Sequence, residues 1–404
     1  MNPWVRRLFP PLGDLELGGK PVPLPITVVV LTRDEERCIA RCLDSVIGRG
    51  VDRVIVIDTG SADRTMSIVD GYRRHGVESV QVPWPGSFAE LRNYAIDVVK
   101  TGWIVFLDAD EWLAEESADQ LVDCLESLST VQCPERLAFA PIIHHPDSGL
   151  SVIELPRIFR ADSGIRYRGA IHEHPVLPGT TQPPDLVGLD IWFHHDGYLP
   201  EVAIAKKKMD RNLSLLSTAR DEDPDNPRWL YFLVKDGLPT LTRAQLIDVC
   251  TELRVLAERD TPTGDRRTAG EYYRLALCEA CQGLAVAGDW HTVHRYSEEM
   301  DEPDAHYYRS MAALLTGVSD EGDLLEAIRL RREEKWVSTS ALDRSGRHLD
   351  ALIIALLARF RGGSTAEGYR ELCQPWTDVF FEDSWVRTYF WAARGVRPSV
   401  QLSH

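Results

Sequence analysis

The sequence has no surplus of positive charge. Its 45 lysines and arginines face 62 aspartates and glutamates, for a formal net charge of −17. Nonspecific nucleic-acid binding needs Lys and Arg to neutralise phosphates, so that balance argues against it, and against docking on anionic lipid. Long apolar runs are missing too. "PITVVVL" is too short to span a bilayer, and the segment around Arg6 and Arg7 has no apolar stretch of signal-peptide length. Cysteine is sparse and scattered. Cys38 and Cys42 fall one helical turn apart, and Cys278 and Cys281 form a CxxC inside the apolar run "YYRLALCEACQGLAV". No second ligand pair stands at zinc-site spacing, so reduced, buried thiols and a cytoplasmic location are expected. "HEHP" is not HExxH, which argues against a helix-borne zinc-protease site.

What is present is an ordinary globular composition, 44% hydrophobic and 26% charged over 404 residues, long enough for more than one domain. Residues 1–25 are rich in Pro and Gly and read as an arm. "ITVVVLT", "VDRVIVIDTGS", "VESVQVPW" and "WIVFLDADEW" are short, β-branched, buried-type strands. Between them lie helical patterns ending near glycines: "DEERCIARCLDSVIGRG", "ADRTMSIVDGYRRHG" and "SFAELRNYAIDVVKTG". Such alternation predicts right-handed crossovers and a mostly parallel sheet, whose ligands bind beyond the strands' carboxyl ends. The polar groups "TRDEE", "DTGS" and "DADE" all fall at those ends. From about 138 to 200, short strand-like runs predict antiparallel additions to the sheet and loops over the site. After 200, helical runs take over. Tyr272-Tyr273-Arg274 recurs as Tyr307-Tyr308-Arg309, and Gly288-Asp289 as Gly322-Asp323, near the ~34-residue period of tetratricopeptide hairpins.

The acids that close "WIVFLDADEWL" raise the sharpest question. Residues two apart in a strand share a face, so Asp108 and Asp110 can converge. Mg²⁺ or Mn²⁺ favours such oxygens together with substrate phosphates and can accept charge from a departing diphosphate. The competing reading is helix capping of "WLAEESADQLVDCL" by Asp110 or Glu111.

Six stretches in one order, "VVVLTRDEERCIARCLDSV", "VIVIDTGSADRT", "SFAELRNYAI", "GWIVFLDADEWL", "RYRGAIHEHP" and "HDGY", resemble family 2 glycosyltransferases of the GT-A fold. The nearer resemblance is to the sublancin-type peptide S-glycosyltransferase branch, which carries C-terminal helical repeats. The resemblance covers roughly residues 25–200 and implies an α/β fold: a GT-A (Rossmann-like) domain over 26–200, then an all-α, tetratricopeptide-like region over 201–404 that binds an acceptor or makes a homodimer. It implies a nucleotide-sugar donor, UDP-linked by expectation, with Thr32, Arg33, Asp58, Arg92, Asp108, Ala109, Trp112 and His172 around it. It further implies Mg²⁺ or Mn²⁺ at Asp108, Asp110 and His195, and inversion at the anomeric carbon. Glu173 is the candidate base for the acceptor's proton, a peptide Cys or Ser or another small acceptor.

The chemistry of the residues agrees with these roles but leaves alternatives open. Asp58 can accept from a uracil N–H or a ribose hydroxyl, and Arg92 can fork onto phosphate. Arg92 can equally pair with Asp108 or Asp110, Glu173 can anchor its loop, and Trp112 can pack rather than stack on a sugar. Two other functions stand beside the transferase. A metal-dependent hydrolase predicts turnover without acceptor. A non-catalytic helical-repeat adaptor predicts that Asp108→Ala changes nothing.

Overall fold

A computed structural model of the chain describes residues 5–6, 20–146, 150–195, 204–376, 378 and 380; most of the 1–25 arm and the "DGY" of "HDGY" lie outside them. It separates two compact units. One holds the described residues up to Glu222 with Gly264–Arg266; the other holds Asp223–Thr263 and the described residues from Arg267 on.

The first unit is built on strands β1 (Val5–Arg6), β2 (Ile26–Thr32), β3 (Arg53–Asp58), β4 (Val77–Gln81), β5 (Trp103–Asp108), β6 (Glu111–Leu113), β7 (Leu137–His145), β8 (Leu150–Val152), β9 (Ile158–Arg160), β10 (Arg166–Arg168), β11 (His174–Val176) and β12 (Asp185–His195). The main sheet runs β1-β12-β7-β9-β5-β2-β3-β4, with β6 on β12 and β8 on β7; β10 and β11 pair separately. As expected, β4, β3, β2 and β5 are parallel. β9 then enters antiparallel to both β5 and β7. The later strands are not uniformly antiparallel, because β7 and β12 run parallel to each other.

Helices cover both faces, and this is why the central strands are apolar on both sides along their middles. Val28, Val30, Val54, Val56, Val105 and Leu107 face one core with α1 (Ile39–Asp44), α2 (Thr65–Gly71) and the broken pair α4 (Glu115–Ala118) and α5 (Gln120–Ser127). Val29, Ile55, Ile57, Ile104 and Phe106 face the other with α3 (Phe88–Val99). Ser87 caps α3 by accepting from the Glu90 amide. That helix does not close on a glycine: Lys100 takes the positive φ of 67°, and Gly102 follows at 81°. Gly102 is needed there because a Cβ would lie 2.2 Å from the Pro25 carbonyl oxygen, which accepts from the Trp103 amide. α6 (Ile204–Glu222) ends the unit.

The second unit is helical: α7 (Pro227–Gly237), α8 (Arg243–Glu258), α9 (Ala269–Val286), α10 (Trp290–Ser297), α11 (Asp304–Thr316), α12 (Glu321–Arg332), α13 (Glu334–Val337), α14 (Arg347–Phe360) and α15 (Gly363–Arg370). Capping boxes start α8, α9 and α12. Tyr272 and Tyr307 both occupy the fourth position of their helices, and both are fully buried. The glycine pair is not equivalent. Gly288 turns at φ 71° before α10, whereas Gly322 lies inside the first turn of α12. Cys278 and Cys281 are buried in α9, where burial pushes both thiols up. Among the described residues, no helix is long and apolar enough to cross a membrane.

Candidate active site

The carboxyl ends of β2, β3 and β5 lie side by side, with Thr32 paired to Asp58 and Leu31 to Asp108. The tight β5–β6 turn carries buried Ala109 between the two aspartates. Helix α4 begins only at Glu115, so neither Asp110 nor Glu111 caps it. Glu111 instead starts β6 and turns inward, 3% exposed, accepting from the Asp108 amide at 3.0 Å.

Asp108 is held by two guanidinium groups. Arg157 donates to its Oδ2 at 2.6 Å and Arg92 to its Oδ1 at 3.3 Å. The same Arg157 nitrogen donates to Glu111 at 2.9 Å, and Arg92 Nε donates to Glu173 at 2.6 Å. Asp108, Glu111, Glu173, Arg92 and Arg157 are therefore one connected network. Burial works to raise both Asp108 and Glu111. At Asp108, Arg157 and then Arg92 outweigh it and hold the carboxyl well below the usual carboxylate range. At Glu111 burial wins over Arg157, and the carboxyl is pushed up to about 7. Two carboxylates share one cation, and the more exposed one keeps its charge.

Arg92 lies over the rings of Phe106 and Tyr167, 4.9 and 5.4 Å from their centroids. Asn93 of the same helix exchanges two hydrogen bonds with the Tyr167 backbone, and the Phe88 amide donates to Ala170. These contacts bring the loop with Glu173 up to α3. Among the described residues, three buried polar atoms at this edge have no protein partner: Thr32 Oγ1, Arg92 Nη1 and Arg157 Nε. Unpaired buried donors cost free energy, so their gathering here calls for a polar ligand.

Asp110 lies with a different partner. Its Oδ2 is 3.2 Å from His195 Nε2. Burial disfavours charge on His195, but the hydrogen bond its imidazole donates to Asp110 outweighs it and raises the imidazole's pKa. A carboxylate oxygen beside an imidazole nitrogen is a donor set that fits Mg²⁺ or Mn²⁺. Among the described residues no group of three or more His, Cys, Asp or Glu side chains is arranged around a metal position. Asp110 and His195 thus stand as two neighbouring donors, while Asp108, expected beside them, is engaged by the arginines instead.

The other expected residues divide. Asp58 is fully buried and accepts from the Gly60 and Ser61 amides, the Ser61 hydroxyl and Gln81 Nε2, so its acceptor sites are used in shaping its own loop. Arg33 is exposed beside Asp34. His172 adopts a left-handed backbone, φ 50°, just before Glu173. Trp112 alternates away from Glu111 and lies under the Arg41 guanidinium at 3.7 Å, against His194. The structure does not join it to the acid network.

Sequence reasoning missed Arg157, Gln81 and His145. Arg157 stands in "LPRIFR", where a charge inside a strand-like apolar run was the available signal: Lys and Arg are almost never buried unless paired.

With this geometry in view, residues 27–142 match the model for glycosyl transferase family 2. The N-terminal unit carries a family 2 glycosyltransferase domain. The chain is 27% identical over 213 residues to the SPbeta prophage-derived glycosyltransferase SunS of Bacillus subtilis, covering 52% of this chain and 49% of that protein. It is also 28% identical over 293 residues to a TPR repeat-containing protein of Synechococcus elongatus, covering 66% and 69%. The chain spans about half the length of SunS. Among solved structures, S. aureus TarS 1–349 covers 92% of each chain at 13% identity and a TM-score of 0.33. The family 2 domain has the mixed, helix-covered sheet expected of GT-A enzymes, and a helical region follows it.

Proposed function

We propose that this protein is an inverting glycosyltransferase that moves a sugar from a UDP-sugar to a peptide Cys or Ser side chain. The observation that carries the reading is the position of Arg92. It ties the candidate base Glu173 to the acid turn at Asp108 and keeps a buried, unpartnered Nη1 at the strands' carboxyl edge. A diphosphate supplies the anionic oxygens that this nitrogen and Arg157 Nε lack. Thr32 offers a hydroxyl to the nucleoside, and Asp58 with Gln81 walls the base. Asp110 and His195 would hold Mg²⁺ or Mn²⁺. Bound there, such an ion would supply positive charge beside the departing diphosphate. Glu173, 13% exposed at its side chain, takes the acceptor's proton. A thiol acceptor needs this help less than a hydroxyl does. The helical unit recognises the acceptor, since stacked helix pairs form extended surfaces.

The test is a thermal-shift titration of UDP and UDP-sugars with Mn²⁺, followed by UDP release with and without thiol- and hydroxyl-bearing peptides. The transferase reading expects stabilisation by the nucleotide and release that requires acceptor. Release at the same rate without acceptor supports the hydrolase instead. Stabilisation with no turnover over a broad acceptor panel supports the adaptor.

A further inference from the structure

The two adjacent histidines that end β7 divide between the faces of the sheet. His144 turns to Ser151, at 3.1 Å, and to the ring of Trp192. His145 turns the other way, toward His195 at the end of β12, the parallel neighbour of β7. The two Nδ1 atoms lie 3.0 Å apart, with ring centroids at 4.8 Å and planes at 82°. Nitrogens at that distance need one hydrogen between them, so one ring donates and the other accepts.

The remaining nitrogen of His195 decides which. Nε2 faces Asp110 Oδ2 at 3.2 Å. A cation held between this nitrogen and the carboxylate needs a lone pair on Nε2, which places the His195 proton on Nδ1. We propose that His145 is a positioning residue for the cation site: its Nδ1 accepts from His195 Nδ1–H, fixes that tautomer, and sets the ring so that Nε2 points beside Asp110. Outer partners of this kind orient a ligating imidazole and raise its basicity. The inference rests on reading Asp110 and His195 as the cation ligands.

The experiment measures Mn²⁺ binding to the full chain by loss of the free-ion electron paramagnetic resonance signal. UDP is held constant, and a protein-free control is subtracted. His145→Asn keeps an acceptor oxygen close to where Nδ1 stood; His145→Leu keeps bulk and removes the acceptor. The Leu variant is expected to weaken Mn²⁺ about 10- to 100-fold, and the Asn variant to stay within about threefold of wild type. UDP affinity measured without metal should be equal in all three, a split that general loosening of the fold would not give. If the Leu variant does not fold, His145→Ala is read the same way. Wild-type affinity in the Leu or Ala variant overturns the inference, as does equal weakening in the Asn variant. A wild type that binds no Mn²⁺, or an Asp110→Asn variant that binds it unchanged, overturns the underlying cation reading itself.

Discussion

Removing the Arg157 guanidinium should strand a buried acid, and the cost can be worked from the geometry. Arg157 is buried and donates to Asp108 at 2.6 Å and to Glu111 at 2.9 Å. A hydrogen bond to a charged group contributes about 1.5–3 kcal/mol. The Asp108 share is discounted, because its side chain is 34% exposed and water can replace the arginine. Glu111, at 3%, has no such relief. Arg157→Met should therefore cost the sheet unit about 3 kcal/mol at pH 8, at the lower end of what breaking a buried pair costs. The pH dependence has a definite sign. Glu111 is already raised to about 7 with the arginine present, and without it the folded-state pKa rises further. A carboxyl whose folded pKa exceeds its unfolded value stabilises below the unfolded pKa, and that contribution is lost as pH rises through the folded one. The deficit of Arg157→Met should accordingly shrink between pH 8 and pH 6. Adding Glu111→Gln to the variant should recover about 1–2 kcal/mol at pH 8, since the stranded charge is gone. The assay is hydrogen exchange of peptides spanning Trp103–Asp108 across a urea series, which reports this unit separately from the helical one. A deficit below about 1 kcal/mol, or a double variant less stable than Arg157→Met, refutes the reasoning.

Three further outcomes follow from other parts of the molecule. Glu173→Gln should lower the rate of UDP release with acceptor about 10²- to 10⁴-fold with UDP affinity little changed; a rate within fivefold of wild type, roughly 1 kcal/mol of barrier, removes Glu173 as the base. Gly102→Ala should destabilise by about 1–3 kcal/mol, from the positive φ and the clash with the Pro25 oxygen, and an unchanged urea midpoint contradicts it. In the helical unit, burial raises Asp304 to about 6 and lowers His348 to about 4. The folded unit thus takes a proton at Asp304 over about the window in which the unfolded chain takes one at a histidine, and the two linkages oppose. Asp304→Asn leaves only the depressed histidine, whose contribution is lost as pH falls from about 6.5 to 4, at about 1.4 kcal/mol per pH unit relative to wild type. Parallel wild-type and variant stabilities across that window would rule this out.

Sequence alone located β2, β3, β4 and β5 along the chain and implied that they run parallel. Period, β-branching and turn residues are local properties, and continuous apolarity in β2, β3 and β5 records burial on both faces. It also placed Thr32, Asp58, Asp108 and Asp110 at carboxyl ends, because strand ends are visible where apolar runs stop. Which side chains pair came from the packing of strands distant in sequence. Arg157, just before β9, reaches the acid turn, and His145, at the end of β7, reaches His195, through an antiparallel insertion at β9 and a parallel β7–β12 pair that no local pattern announces. Tertiary pairing also gave Asp108 to the arginines and Asp110 to His195, because two neighbouring carboxylates compete for cations delivered by whichever strands pack beside them.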